Sequence, residues 1–170
     1  MSFRVEDGTV VIGANSFATL DQAEEFHTDR NNEQWLSTTL TDEAREAALI
    51  WATLWLARGP FRWIGEVSSS VVDRLPWPRT DAYWHNDELY TGIPTELVDA
   101  TCELAGYHLT SPLNKSGGSG KQITGVDVGP VSISYFGLGS RLREMPAVNL
   151  MLRTITRNKG SRLQRRLTRG

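Results

Sequence analysis

Apolar residues recur at helical spacing in four stretches of the chain and alternate with polar ones in two short runs. The first stretch opens at Thr19, which with Gln22 forms a capping box. Leu20, Ala23 and Phe26/His27 then share one face of a helix expected to run to about Arg30. Thr41 caps the second, with Asp42 and Glu43 in the first turn, where the helix dipole favours acids. Gly59-Pro60 stops it after Ala57 or Arg58. Ala44, Ala47, Ala48, Trp51 and Trp55 form one stripe of this helix, and Leu49, Ile50, Leu54 and Leu56 cover much of the rest. A helix apolar on nearly every side should be buried on nearly every side. It is therefore expected to be a central helix, or one closed over by a neighbouring subunit, with Trp51 and Trp55 in the structural core.

Pro94 opens a third helix to about Leu109, with Leu97/Val98, Thr101/Cys102, Ala105 and His108/Leu109 on one face. Pro146 opens a fourth, with Val148, Met151, Leu152 and Ile155 together, ending at Asn158-Lys159-Gly160. Residues 122–128 and 131–136 alternate as two strands around Gly129-Pro130, which predicts a β-hairpin over about 121–136. A lone hairpin is marginal in water, so Val128, Gly129, Pro130 and Val131 are expected at a contact with the body or a neighbouring subunit.

The remaining segments are punctuated by breakers. Residues 1–15 read as an extended lead-in with a turn at Asp7-Gly8. Residues 111–120, rich in Gly and Ser, read as a flexible linker, and residues 137–144 as a loop. Residues 59–92 show no clear period, and a long irregular segment is usually functional or inter-subunit. Within it, Pro76 and Pro78 hold Trp77 on a stiff extended strut. Trp77 is expected to plug the core, with Arg79 in an ion pair nearby. The fold class is thus mainly α: a small bundle of about four helices, a β-hairpin between the last two, and a basic C-terminal arm. Residues 1–158 form the domain and 159–170 the tail.

Composition fits one domain. The 170 residues are 39% hydrophobic and 22% charged, with a mean hydropathy of −0.33. The longest apolar run, Ala47 to Ala57, is broken by Thr53 and is too short to span a bilayer. No basic-then-apolar leader opens the chain, and Cys102 is the single cysteine, so a soluble protein of a reducing compartment is expected. Charge is what changes the picture. Residues 141–170 carry nine Arg or Lys against Glu144 alone, a net +8, and the other 140 residues carry −10. Arg153, Arg157, Lys159, Arg162, Arg165, Arg166 and Arg169 make a basic arm suited to nucleic acid or to an acidic protein surface.

Candidate chemistry is sparse. The stretch Gly118 to Lys121 is no phosphate loop: Lys115 stands where the leading Gly is needed, and Gln122 follows the lysine. His85, Asp87 and Glu88 are metal-type side chains without a second cluster. His27 and His108 fall on apolar helix faces, where a satisfied core histidine is the default, and Cys102 reads as a small core residue. No catalytic signature is present, so no enzyme, cofactor or metal is expected. Single-strand binding wants aromatics interleaved with basic residues. The arm has none after Phe136, and the six Trp belong to the acidic body, so a protein-docking arm is expected over a strand-binding groove.

Several stretches in order carry a resemblance: Val5 to Thr9, Ala14 to Phe17, Glu46 to Ala57, Leu75-Pro76-Trp77-Pro78-Arg79, Gly92-Ile93-Pro94 with Ala100-Thr101 and Glu103 to Ala105, and Val128 to Val131. Over roughly residues 5–155 the chain resembles head–tail connector (adaptor or head-completion) proteins of tailed bacteriophages, often catalogued as DnaT-like single-stranded-DNA-binding proteins. The resemblance implies a helical subunit with a protruding β element. It implies a dodecameric ring at the virion neck, assembled in the host cytoplasm, that binds the portal protein and a downstream neck or tail protein and extends the channel for genomic double-stranded DNA. Residues 159–170 match no pattern of that family. The alternative is a single-stranded-DNA-binding replication protein.

Overall fold

The computed structural model describes residues 2–68, 75–84, 86–113 and 145–157 in full and the backbone of 125–128 and 131–134. Four helices lie among the described residues: α1 (Leu20–Asp29), α2 (Asp42–Arg58), α3 (Thr95–Thr110) and the short α4 (Pro146–Met151). β1 (Glu66–Val67) pairs antiparallel with β2 (Arg79–Thr80). β3 (Gly125–Val128) pairs antiparallel with β4 (Val131–Ser134) in the register Val128↔Val131 to Gly125↔Ser134. The protein is mainly helical with a small antiparallel hairpin, as its hydrophobic pattern predicts. The turn residues Gly129 and Pro130 lie outside the described residues, as do the linker and loop flanking the hairpin.

The helix ends form as the local chemistry requires. Thr19 accepts from the Gln22 backbone N–H while the Gln22 side chain accepts from the Thr19 N–H, completing the capping box. The Thr41 hydroxyl caps α2 through the Ala44 N–H. In the lead-in, the buried Glu6 carboxylate accepts the backbone N–H groups of Gly8, Val10 and Val11 at 2.9–3.0 Å, which folds this segment into a fixed loop without regular structure.

The central helix is α3 and not α2, which corrects the first of the two expectations placed on α2. α1, α2 and α4 all pack against α3. Its buried positions include Ala100, Cys102, Ala105 and Gly106, small residues that let neighbours approach closely. A Cβ at Gly106 would sit 2.6 Å from the His27 Cε1, so glycine is required there. α2 buries one side only, through Ala48, Leu49, Ala52, Thr53 and Leu56. The polar break in its apolar run, Thr53, is buried and accepts the Phe17 N–H. Its other side stays open: Trp51, expected in the core, is 37% exposed, and Trp55 is half-buried. With α3 in the middle of so small a bundle, that side is met among the described residues only at its margin, by the His108 ring against Trp51 and by Leu113.

Trp77 is fully buried against Tyr90, which Trp84 stacks in turn. Arg79 makes no ion pair among the described residues. Its guanidinium instead donates to the carbonyls of Ile64 (2.6 Å), Gly65 (2.8 Å) and Pro76 (3.1 Å). Five rigid donors suit such a clasp, because several free carbonyls of an irregular segment are satisfied by one side chain. The last helix is also shorter than its apolar spacing predicts. Leu152 and Ile155 are buried, but in turns after Met151. The β-branched Ile155 and Thr156 enter backbone pairing with residues 63–64, and that pairing wins over helix continuation.

Candidate nucleic-acid interface

The open side of α2 continues into a row of aromatic and basic side chains. Gly59 ends the helix, and the chain folds back so that the Phe61 ring lies against Trp55, centroids 5.6 Å apart. A Cβ at Gly59 would fall 2.5 Å from the Phe61 ring, so the fold-back depends on this glycine. Phe61 packs next on Trp63 at 5.2 Å, giving the ladder Trp55–Phe61–Trp63, each ring half-buried. The segment is held from two directions. Trp63 bridges antiparallel to Thr156, with the Arg157 N–H bonded to the Arg62 carbonyl at 2.7 Å and the Ile64 N–H to the Ile155 carbonyl at 3.1 Å. The Arg79 clasp fixes Ile64 and Gly65 immediately after it. Burial, and then the Arg157 charge, hold the Arg79 guanidinium below its ordinary pKa, while Glu66 opposes them.

Arg58, Arg62, Arg153 and Arg157 are all exposed. Among the described residues the salt bridge present is Arg45–Asp42, so these four cations have no acidic partner there. Arg58, which shares a groove with Trp55, and Arg62 and Arg157, joined through their backbones beside Trp63, set guanidinium groups near half-buried aromatic rings, the pairing that suits a single strand's phosphates and base faces. Lys159, Arg162, Arg165, Arg166 and Arg169 lie outside the described residues.

This placement corrects the separation of aromatics from basic residues read from the sequence. The tryptophans do belong to an acidic body, but folding sets Trp55 and Trp63 among arginines. Phe61-Arg62-Trp63, an aromatic–basic alternation within residues 59–92, is the sequence signal that marks this row. Of the expected core tryptophans, Trp77 is buried, Trp55 joins the ladder and Trp51 lines its edge. Val128 and Val131 face each other as the last pair of the hairpin ladder.

Other polar clusters have local explanations. The His27 ring is buried, stacked on Trp35 at 4.5 Å and bonded at both nitrogens, to the Cys102 carbonyl and the Asn32 amide, each at 3.1 Å. Burial pushes its pKa down to about 4. Burial raises the Cys102 thiol to about 12, which removes thiolate character. Asn86 and Glu88 bond each other, and His85 lies outside the described residues. A cleft of about 380 Å³ between α1 and α3 is lined by Glu25, Asp29 and Asp99, with Arg30 held over the Phe26 ring at 3.6 Å. Its acids would repel a phosphate backbone. No helix of the described residues is long and apolar enough to cross a membrane.

No curated protein and no solved structure matches the chain. A family model described as "Putative DnaT-like ssDNA binding protein" matches residues 1–170, the whole length, and the chain belongs to that family.

Proposed function

We propose that this protein binds single-stranded DNA without sequence preference, by stacking bases on the Trp55–Phe61–Trp63 ladder while Arg58, Arg62 and Arg157 meet phosphates. The observation that carries the reading is the ladder itself, interleaved with arginines that have no acidic partner among the described residues. The family's description supports it independently. Stacking is indifferent to base identity because every base has a π-face, and phosphate contacts carry no sequence information.

The test is quenching of tryptophan fluorescence by a single-stranded homopolymer. Phe61→Ala is expected to weaken binding by about fivefold to a hundredfold, the loss of one stacked base. Arg62→Ala, at an exposed position, should weaken thymidine and adenine polymers alike and lower the salt slope by about 0.7. A wild-type protein that neither quenches nor binds at low salt contradicts the reading.

A second reading is the head–tail connector subunit, a ring at the virion neck. What favours it is the open apolar side of α2, where Trp51 is 37% exposed. Large exposed apolar surface often marks a subunit contact. Closed rings of the purified protein, alone or on a portal, in electron micrographs would support it.

A further inference from the structure

Beside the ladder, the stripe of α2 that the bundle leaves open forms a groove of about 220 Å³, lined by Trp51, Leu54, Trp55, Arg58 and Leu113. The four helical residues recur at i, i+3, i+4 and i+7, so they share one face of the helix. Leu113 forms the far wall, tied down by its N–H to the His108 Nδ1 at 3.0 Å. The His108 ring lies nearly parallel to Trp51, 12° apart in plane with centroids at 6.0 Å, and backs the indole from the α3 side. Among the described residues the lining is two indoles, two leucines and one guanidinium, with no acid.

We propose that this groove takes one unstacked nucleobase of the bound strand, held against Trp51, with Arg58 meeting the adjoining phosphate; the inference rests on the single-strand reading of the neighbouring ladder. Continuity is the first argument. Trp55 belongs to both the groove and the ladder, so a strand stacked on Phe61 has its next base at the groove mouth. Charge is the second. Arg58 is exposed, has no acidic partner among the described residues, and stands at the edge of an otherwise apolar slot. A flat aromatic ligand bearing an anion satisfies both the indoles and the guanidinium, whereas a purely aliphatic occupant leaves the arginine desolvated and unpaired.

The experiment titrates the full chain with oligothymidylate and, in parallel, with an abasic deoxyribose-phosphate chain of the same length. Trp51→Ala is expected to lose about tenfold on oligothymidylate with an unchanged salt slope, and nothing on the abasic chain. Trp51→Phe keeps a stacking face and should recover most of the loss, which separates stacking from a folding defect. If Trp51→Ala binds oligothymidylate as the wild type does while Phe61→Ala is weakened, the groove is no base pocket and the single-strand reading stands. If Trp51→Ala changes the assembly mass instead of the affinity, the groove belongs to a second copy and the proposal is overturned. If the wild type binds neither chain, the proposal and the reading beneath it fall together.

Discussion

Acidifying the protein from pH 7 to pH 4 is expected to cost about 3 kcal/mol of folding stability through His27 alone. The ring is 1% exposed and its pKa lies at about 4, against about 6.5 for a free histidine. The Cys102 carbonyl can only accept, so Nε2 carries the proton of the neutral ring. Nδ1 is then the acceptor for the Asn32 amide. A second proton on the ring would displace the Asn32 donor and place a cation between Trp35 and Gly106, near Arg30. As the pH falls, the unfolded chain protonates first, near 6.5, and the folded form only near 4. Stability from this group is therefore complete above 6.5, drains away down to about 4, and is flat below. His108, lowered by burial, acts in the same direction, and Asp99, raised by burial, acts against it. Urea unfolding of wild type and His27→Gln across this range isolates the contribution: the variant starts less stable and shows a shallower slope. Equal slopes, or a ring that titrates near 6.5 by NMR in the folded protein, contradict the assignment.

Deleting residues 158–170 is expected to cut the salt dependence of single-strand binding steeply. The segment holds Lys159, Arg162, Arg165, Arg166 and Arg169 and no acid. Each phosphate neutralised contributes about 0.7 to the slope of log affinity against log salt on a single strand, so five cations contribute up to about 3.5. Between 50 and 200 mM salt that slope is worth roughly a hundredfold in affinity. Arg157, just before this segment, donates its backbone N–H to the Arg62 carbonyl beside the ladder. The truncated protein should retain the quenching that comes from stacked bases, with a weaker and flatter salt response. An unchanged slope would show that the arm does not meet phosphates and would return it to the role of a protein-docking segment.

Much of the bundle was legible in the sequence because local chemistry decides it. Thr19 with Gln22, Thr41, Gly59 and Pro94 mark helix ends through groups within a few residues of themselves, and the pairing of Val128 with Val131 follows from alternation around Gly129-Pro130. What was not legible depends on contacts distant in sequence. α2 carries the longest apolar run, yet α3 is central, where the small residues Ala100, Ala105 and Gly106 let its neighbours approach closely. Arg79 has acids within reach of a sequence argument, but the carbonyls it satisfies belong to residues 64, 65 and 76 of an irregular segment. The aromatic–basic row is hidden from the sequence for the same reason. Arg157 and Arg62 are 95 positions apart in the sequence, and the backbone pairing of residues 62–64 with 155–157 sets Arg157 beside the aromatic ladder.

The central claim is that a single strand lies across residues 51–63, and photocrosslinking tests it most directly. The full chain is irradiated with a halogenated single-stranded oligonucleotide at low salt, and the crosslinked peptides are identified by mass spectrometry. Adducts are expected at Trp55, Phe61 or Trp63, lost when excess unlabelled single strand is added and little affected by duplex. Crosslinks confined to the α1–α3 cleft, or none at any salt concentration, contradict it.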